Sequence, residues 1–324
     1  MKLQLNIVMI ATVTINPAID KVYYIDDFCL KKLHRITAEK NEITSVGGKG
    51  VNISVMLKNL DTHSIAMGFT GGFLGKKLEQ KLRELGITTN FIRTEEETRN
   101  DIFIIDNQND TITEINESGR HISEEDMFLF MDRYKKVLNQ VNIMILAGSL
   151  LPLMDLNFYG TLTRLAKHKN VKTIVHTRPK YIDAGLKEKG TIVFPDMRST
   201  CEFRGRTLDN VDHCLESGKA ILDRHQETEV VIFAHLIKNI VAITHKKAYV
   251  FSSKELHPAN LLGFNDAIVS GLTYGLEKKK NLKDALSLGC SAGFITIETN
   301  EKFCLEPKKI EAYLPRLETK EIAL

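Results

Sequence analysis

The sequence predicts an α/β protein that has a mostly parallel sheet, helices on both faces of that sheet, and a second, smaller sheet. Short apolar segments typical of buried strands alternate with longer segments whose apolar residues recur at helical spacing. Such alternation favours a parallel sheet, because parallel strands need crossover connections that helices usually supply. A charged stretch with short alternating patches, residues 21–45, interrupts the alternation and predicts the small exposed sheet.

The first strand is predicted at residues 7–15, where threonines alternate with Ala11, Val13 and Ile15. This apolar run is too short to span a membrane, so we interpret it as a buried strand and not as a signal peptide. Further strands are predicted at 64–70, 91–92, 102–105, 143–147, 171–175, 192–194, 230–233, 240–244 and 248–251.

Helices are predicted where apolar residues recur every three or four positions. One follows Gly71-Gly72 and stops at Gly86, and another opens at Ser123, three residues before Asp126, in the manner of a capped helix start. The remaining helices are predicted around 158–168, from Asp266 onward, and at about 282–297.

Composition excludes several classes of protein. The chain has 324 residues, of which 43% are hydrophobic and 26% charged, a soluble globular composition whose length suits one large α/β domain or two. The net charge of +3, without a long basic run, gives no indication of nucleic acid binding. The five cysteines are widely spaced and form no C-x-x-C pair, so reduced thiols in a cytoplasmic protein are expected, with neither zinc nor disulfides. No membrane is expected as a partner.

A loop that contains Gly263 leads into Asp266, and an apolar run at helical spacing follows. Asp266 should therefore lie in the first turn of a helix, where backbone N–H groups have no intrahelical partner and attract anions. A carboxylate beside an anion site is what phosphoryl transfer to a hydroxyl requires. An aspartate that only caps its helix is the alternative, and this loop alone does not exclude it.

Two other stretches carry polar groups at places where ligands bind. Asp20 follows Pro17 just beyond the carboxyl end of the first strand, where open parallel sheets bind their ligands. The run Gly47-Gly48-Lys49-Gly50, with Asn52 two residues later, opens an apolar helical segment. Ligand contact through backbone N–H groups and a tight turn that merely begins a helix are both compatible with this run.

Three motifs together resemble the signatures of the ribokinase-like (PfkB) sugar kinases: Asn16-Pro17-Ala18-x-Asp20, Gly47-Gly48-Lys49-Gly50-x-Asn52 and Gly263-x-x-Asp266. The run Glu97-Thr98-Arg99-Asn100 is similar to the branch of the family that contains 1-phosphofructokinase and tagatose-6-phosphate kinase. The similarity begins near Met9, so residues 1–8 are expected to be an extension. The resemblance implies a three-layer α-β-α fold, related to the Rossmann fold, with a β-sheet lid.

The resemblance also implies roles for individual residues. Asp266 would be the general base, with backbone N–H groups of Phe264, Asn265 and Asp266, in the loop of Gly263, stabilising the transferring phosphoryl group. Sugar hydroxyls would be held by Asp20 and Asn52, and approached by the backbone of Gly47 and Gly48. Lys49 and Arg99, with Asn100 nearby, would hold the phosphate already on the sugar. The implied cofactors are ATP and Mg²⁺.

The motifs on the nucleotide side depart from the family pattern. The family's Gly-Ala-Gly-Asp is Gly263-Phe264-Asn265-Asp266 here, and Asn265 is expected to tolerate a positive φ while Phe264 adds bulk. The family's Ser-Leu-Gly-x-x-Gly is residues 234–239, so Ala234, Leu236 and Asn239 would face the nucleotide without either glycine. Asp196 replaces an asparagine and would be a magnesium ligand, Ser199 replaces a glutamate, and the family's Asp-x-Ser-Gly begins here at His176. Polyphosphate could be reached by Arg178, Arg198 or Lys238, and solvated surface charge is the alternative for all three.

The resemblance divides the chain into an α/β core, residues 1–15, 46–95 and 118–324, and a lid, residues 16–45 and 96–117. Two functions stay open at this point: an ATP-dependent kinase that acts on a phosphorylated ketohexose of the tagatose-6-phosphate or fructose-1-phosphate type, and a sugar-phosphate-binding sensor with a degenerate nucleotide site. Exposed edges of the lid sheet make a homodimer through the lid plausible.

Overall fold

The computed structural model describes residues 9–37, 41–185, 192–198, 200–299 and 301–324. The expected extension at residues 1–8 and the replaced glutamate position, Ser199, lie outside these ranges. The strands are β1 (Ile10–Thr14), β2 (Ala18–Tyr24), β3 (Glu42–Gly47), β4 (Ser64–Gly71), β5 (Thr88–Thr94), β6 (Arg99–Asp106), β7 (Thr111–Asn116), β8 (Ile143–Ala147), β9 (Lys172–Thr177), β10 (Ile192–Pro195), β11 (Glu202–Phe203), β12 (Arg206–Thr207), β13 (Val230–Phe233), β14 (Ile240–Ile243), β15 (Lys247–Ser253) and β16 (Leu317–Ala323). The α-helices are α1 (Lys49–Asn59), α2 (Gly72–Glu84), α3 (Glu124–Val137), α4 (Phe158–Lys167), α5 (Pro179–Gly185), α6 (Val211–Arg224), α7 (Phe264–Glu277), α8 (Leu282–Ile297) and α9 (Pro307–Tyr313).

The large sheet has the order β16-β15-β14-β13-β10-β9-β8-β1-β4-β5. Every pairing from β13 to β5 is parallel, and β13 to β16 pair antiparallel at one end. The strand order reverses direction along the chain near β1, so the carboxyl ends of β1, β8 and β9 form the edge where ligands bind in open α/β sheets. The mostly parallel sheet is confirmed.

Apolar residues of the central strands alternate between two buried clusters, one on each face of the sheet. In β8, Met144 and Leu146 join the cluster beneath α3, α4 and α6, whereas Ile143 and Ile145 join the cluster beneath α7 and α8. Helices therefore cover both faces, which confirms the three-layer α-β-α architecture.

The small sheet has the order β3-β2-β6-β7, with β2 and β6 parallel and the outer pairs antiparallel. Its strands fall within the ranges expected for the lid, apart from Val46 and Gly47 at the end of β3. The chain passes from β1 into β2 through Asn16 and Pro17, so the lid joins the core beside the carboxyl edge of the large sheet. The division into a core and a lid domain stays a prediction.

Several elements were not predicted from the sequence. They are α5, α6, α9, β16 and the hairpin of β11 and β12. Helix α6 did carry a signal, since the Asn210 side chain accepts a hydrogen bond from the backbone N–H of His213, but Gly218 interrupts its apolar face. Strand β16 is largely exposed and polar, and its pairing with β15 defines it.

Among the helices of the described ranges, none combines the length and the apolar character needed to cross a bilayer.

Candidate active site

Asp266 lies in the first turn of α7, as predicted, and is buried. Gly263 caps the helix with φ 77°, a left-handed conformation that glycine adopts without strain. The N–H groups of Asn265 and Asp266 belong to the first turn and have no carbonyl one turn earlier to bond. The start of α7 therefore presents N–H donors and a carboxylate together.

Three side chains surround the Asp266 carboxylate. The Asn52 amide donates to Oδ2 at 2.8 Å, while Lys49 Nζ and His176 Nε2 lie 3.8 and 3.6 Å from Oδ1. Burial alone would raise the pKa of Asp266, but the positive charge of Lys49 and the contacts with His176 and Asn52 lower it to about 2. Asp266 is therefore ionised at neutral pH and available to accept a proton.

Lys49 lies between two carboxylates at the start of α1. Its Nζ is 3.1 Å from Asp196 Oδ2, closer than it is to Asp266. Asp196 also receives Arg198 Nε at 3.2 Å and the Asn265 amide at 3.4 Å. Burial opposes ionisation of Asp196, yet Lys49 and Arg198 hold its pKa well below the usual range. The role expected for Lys49, holding the acceptor's phosphate, stays a prediction, and its contacts here are with the two carboxylates near α7.

Asp20 lies in β2 and meets a cation that sequence reasoning missed. Lys302 Nζ is 2.6 Å from Asp20 Oδ2 and 3.3 Å from the carbonyl oxygen of Val46. A Cβ on Gly47 would fall 1.8 Å from Asp20 Oδ1, so Gly47 allows the carboxylate to pack against β3. Asp20 Oδ1 is buried without a partner in the described residues, which suits an atom that accepts a ligand hydroxyl.

Arg99 lies at the start of β6 and its guanidinium is largely buried. It forms an ion pair with Asp101, donates through Nε and Nη2 to the carbonyl oxygen of Asn16 at 3.3 Å, and donates through Nη1 to that of Glu117 at 3.1 Å. Burial raises the pKa of Asp101 to about 7 against the opposing charge of Arg99, and neighbouring Asp20 adds to the rise. The Asp101 carboxyl beside Arg99 therefore gains its negative charge as the pH rises through neutrality.

A cavity of about 450 Å³ separates the lid from the core and collects these groups. Eight residues singled out from the sequence line it: Asp20, Gly48, Lys49, Asn52, Arg99, Asp196, Gly263 and Asp266. Arg178, Arg198 and Lys302 line it as well, so two of the three cations expected to reach polyphosphate are in place. The described lining does not include Gly47, Asn100, Ala234, Leu236, Asn239, Phe264, Asn265 or Lys238.

The expectations for Phe264 and Asn265 need correction. Asn265 is helical and has no positive φ, because Gly263 alone provides the left-handed turn. Phe264 does not crowd the cavity: it packs in the core with its ring centre 6.3 Å from that of Phe294. A Cβ on Gly293 would come within 3.0 Å of the Phe264 ring, so Gly293 leaves the space that this bulky side chain fills.

The turn between β13 and β14 holds Ala234, Leu236 and Asn239. The left-handed residue of this turn is Ile237, with φ 58°, and the Lys238 N–H donates back to the Leu236 carbonyl at 2.6 Å. Positive φ is unusual for a β-branched residue, so the backbone of this turn is strained at Ile237. The family pattern accepts any residue at this position. Nucleotide contact by these three residues stays a prediction.

Similar proteins were found by sequence and by structure. A profile of the pfkB family carbohydrate kinases matches residues 14–302. The chain belongs to this family. Membership makes it a carbohydrate kinase, a phosphotransferase whose acceptor is an alcohol group. The 1-phosphofructokinase of Bacillus subtilis is 27% identical over 90% of this chain and 94% of its own length. The tagatose-6-phosphate kinase of Staphylococcus epidermidis is 24% identical over 97% of this chain and 100% of its own length.

Solved structures agree with this kinase fold. A possible 1-phosphofructokinase from Thermotoga maritima superposes with a TM-score of 0.91 at 31% identity, covering 97% of this chain and 99% of that one. Phosphofructokinase-2 from Escherichia coli, in complex with substrates and products, gives a TM-score of 0.84 at 17% identity, which shows a shared fold.

Proposed function

We propose that this kinase transfers the γ-phosphoryl group of ATP to a hydroxyl of a phosphorylated ketohexose, with Asp266 as the general base. The observation that carries the proposal is the ionised, buried Asp266 carboxylate at the start of α7, which lines a cavity together with several lysine and arginine side chains. The names of the relatives support a sugar phosphate as acceptor. They give no support to a non-catalytic sensor.

The reaction follows from the contacts of Asp266. The acceptor hydroxyl transfers its proton to the carboxylate as its oxygen bonds to the γ-phosphorus, and the bond from that phosphorus to the bridging oxygen breaks to release ADP. N–H groups at the start of α7 stabilise charge on the transferring group. Lys49, 3.8 Å from Asp266 Oδ1, is placed to stabilise the same charge.

The acidic residues fit a magnesium ion that arrives with ATP. Proteins typically bind Mg²⁺ through one or two carboxylates together with substrate phosphates and water. Asp196 provides such a carboxylate beside Asp266, and the described residues contain no cluster of three or more His, Cys, Asp or Glu that would form a complete metal site. When bound, the ion would neutralise phosphate charge, and Asp196 would hold it.

Product formation from defined acceptors tests the proposal directly. The purified protein is incubated with ATP, Mg²⁺ and, in separate reactions, fructose-1-phosphate, tagatose-6-phosphate, fructose-6-phosphate and the unphosphorylated sugars. We expect ADP release and a bisphosphate product with at least one phosphorylated ketohexose, and much weaker turnover with the free sugars. Tight binding of a sugar phosphate without ADP release would contradict the kinase proposal.

Arg99→Gln is expected to weaken binding of phosphorylated acceptors selectively. The loss should be about 1.5–3 kcal/mol, or roughly 10- to 150-fold, which is the typical contribution of a hydrogen bond to a charged group. Binding of the free sugar should change little. Calorimetry with both ligands measures the difference, and Arg93→Gln is the matched control, since Arg93 is exposed on β5 and pairs with Glu79. Equal weakening for both ligands would show that Arg99 does not recognise the phosphate.

Affinity for the phosphorylated acceptor is expected to fall as the pH rises through neutrality. Asp101, with a pKa of about 7, is neutral below that pH and leaves the charge of Arg99 uncompensated; above it, the carboxylate neutralises Arg99 and repels the acceptor's phosphate. The KM for the acceptor should therefore rise between about pH 6.5 and about pH 8, a range where the phosphate itself is already mostly a dianion. Asp101→Asn should remove this rise in KM. In an Arg99→Gln background, adding Asp101→Asn should leave the pH dependence of the acceptor KM unchanged. A pH-dependent KM in Asp101→Asn would contradict the assignment.

We also propose that the lid mediates a homodimer. Strands β3 and β7 are the two edges of the lid sheet, β7 is exposed along its length, and Ile43 and Ile115 are each about half exposed on these edges. Exposed edge strands with apolar side chains pair readily with another chain. Sedimentation equilibrium should give a dimer for the wild type and a monomer for Ile115→Asp. Phe128→Asp, at an exposed position on α3, is the control and should stay dimeric. A monomeric wild type would exclude this interface.

A further inference from the structure

His176 lies next to the proposed general base, at the position where the family's Asp-x-Ser-Gly motif has its aspartate. It lies in β9 with no solvent exposure, and its ring centre is 4.6 Å from that of Phe194 on the neighbouring strand β10, with the ring planes tilted by 35°. Its Nδ1 is 2.9 Å from the carbonyl oxygen of Phe194, and its Nε2 is 3.6 Å from Asp266 Oδ1. The ring thus connects the backbone of the sheet to the carboxylate at the start of α7.

The hydrogen-bond chemistry of this arrangement fixes where protons lie. A carbonyl oxygen only accepts, so Nδ1 of His176 must carry a hydrogen to make its 2.9 Å contact with Phe194. In a neutral imidazole, Nε2 would then present a lone pair to the Asp266 carboxylate, and two acceptors would face each other inside the protein. Neither Nε2 nor Asp266 Oδ1 has a hydrogen-bond partner in the described residues, and Lys49, the nearest cation, lies 3.8 Å from Oδ1.

We infer that His176 is a positioning residue whose imidazolium ring forms an ion pair through Nε2 with Asp266 Oδ1 and fixes the orientation of the catalytic carboxylate. This inference rests on the proposed function of Asp266 as the base. Asn52 holds Oδ2 from the opposite side at 2.8 Å, so the two oxygens are held by donors on different elements, α1 and β9.

Charged side chains from three elements face His176. Asp266 lies against it from α7, Asp196 lies near it just after the end of β10, and Lys49, at the start of α1, contacts both carboxylates. Two carboxylates thus face the cations of His176 and Lys49, which balances the buried charge. When Lys49 is attracted to a phosphate, His176 remains the cation that keeps Asp266 ionised and oriented, because its ring is fixed to the Phe194 carbonyl.

The matched tests are His176→Gln, which keeps a polar side chain, and His176→Phe, which fills the space without any donor. For both we expect kcat to fall by about 10- to 150-fold, the factor typical for one hydrogen bond to a charged group, with the KM values for ATP and acceptor nearly unchanged. His176→Gln should lose less than His176→Phe. The control is His245→Gln, since His245 bonds to the Thr228 carbonyl away from the cavity, and it should keep the wild-type kcat.

Nitrogen NMR of the histidine rings tests the inference without relying on catalysis. At about pH 8, where an unperturbed imidazole is mostly neutral, His176 should show hydrogens on both ring nitrogens. The resonance is assigned by its absence from the His176→Gln spectrum. A neutral His176 ring would overturn the inference, and so would the absence of any doubly protonated histidine ring from the wild-type spectrum, a result that needs no folded variant. A doubly protonated His176 in a protein without kinase activity would support the contact and contradict the proposed function instead.

Discussion

Asp266→Asn is expected to lower kcat by about 10²- to 10⁴-fold, the usual contribution of a general base, while ATP and acceptor still bind. The substitution keeps the shape of the side chain and removes its negative charge. The N–H groups at the start of α7 are backbone atoms and stay in place, so the anion site should survive. Steady-state rates of ADP formation, together with calorimetric binding of each substrate, measure the two effects separately.

The control for this variant is Asp284→Asn. Asp284 also lies in the first turn of a helix, α8, but it is exposed to solvent and bonds only to the capping residue Asn281. Its replacement should leave turnover unchanged. Because the pKa of Asp266 is about 2, protonation of this group should produce no loss of wild-type activity until the pH is far below neutral. Wild-type turnover in Asp266→Asn would show that the carboxylate only caps its helix.

Local sequence patterns were sufficient to predict where the two helices that form the site begin. Gly263 before Asp266 and Gly48 before Lys49 each place a residue of positive φ at a helix cap, φ 77° and 95° respectively. Both are short-range features, decided by backbone sterics within a few residues. The strands of the parallel sheet were predictable for a similar reason, since each is a short apolar run bounded by turn residues.

The contacts between distant parts of the chain could not be predicted in this way. Lys302 reaches Asp20 across 282 positions, and nothing in the residues around Lys302 marks it. In the sequence, His176 directly follows an apolar run that predicts a strand. Only the packing of β9 against the start of α7 brings its ring to Asp266. Side-chain partners such as these depend on the packed fold, where a long flexible lysine has several carboxylates within reach.

Lys49→Met is expected to reduce kcat by about 10²- to 10³-fold, comparable to the removal of one donor from a charge-stabilising site. The family resemblance pairs Lys49 with Arg99 on the acceptor's phosphate, whereas in the structure its Nζ lies 3.1 Å from Asp196 and 3.8 Å from Asp266. The two locations predict different kinetics. A lysine on the acceptor's phosphate would raise the KM of phosphorylated acceptors alone, but a lysine at the start of α7 would lower kcat for every acceptor.

The pH dependence of the Lys49→Met variant separates the two cases further. Lys49 is the strongest influence that lowers the pKa of Asp266, and burial opposes it. Without Lys49 the pKa of Asp266 should rise, so the base becomes protonated at a higher pH and activity should be lost on the acidic side, unlike in the wild type.

Lys302→Met is the matched comparison, because Lys302 lines the same cavity but pairs with Asp20. It should change the KM of the acceptor and leave the pH profile of kcat as it is. An unchanged kcat in Lys49→Met with a raised acceptor KM would return Lys49 to the acceptor's phosphate, because that pattern shows the loss of a contact that binds ground state and transition state equally.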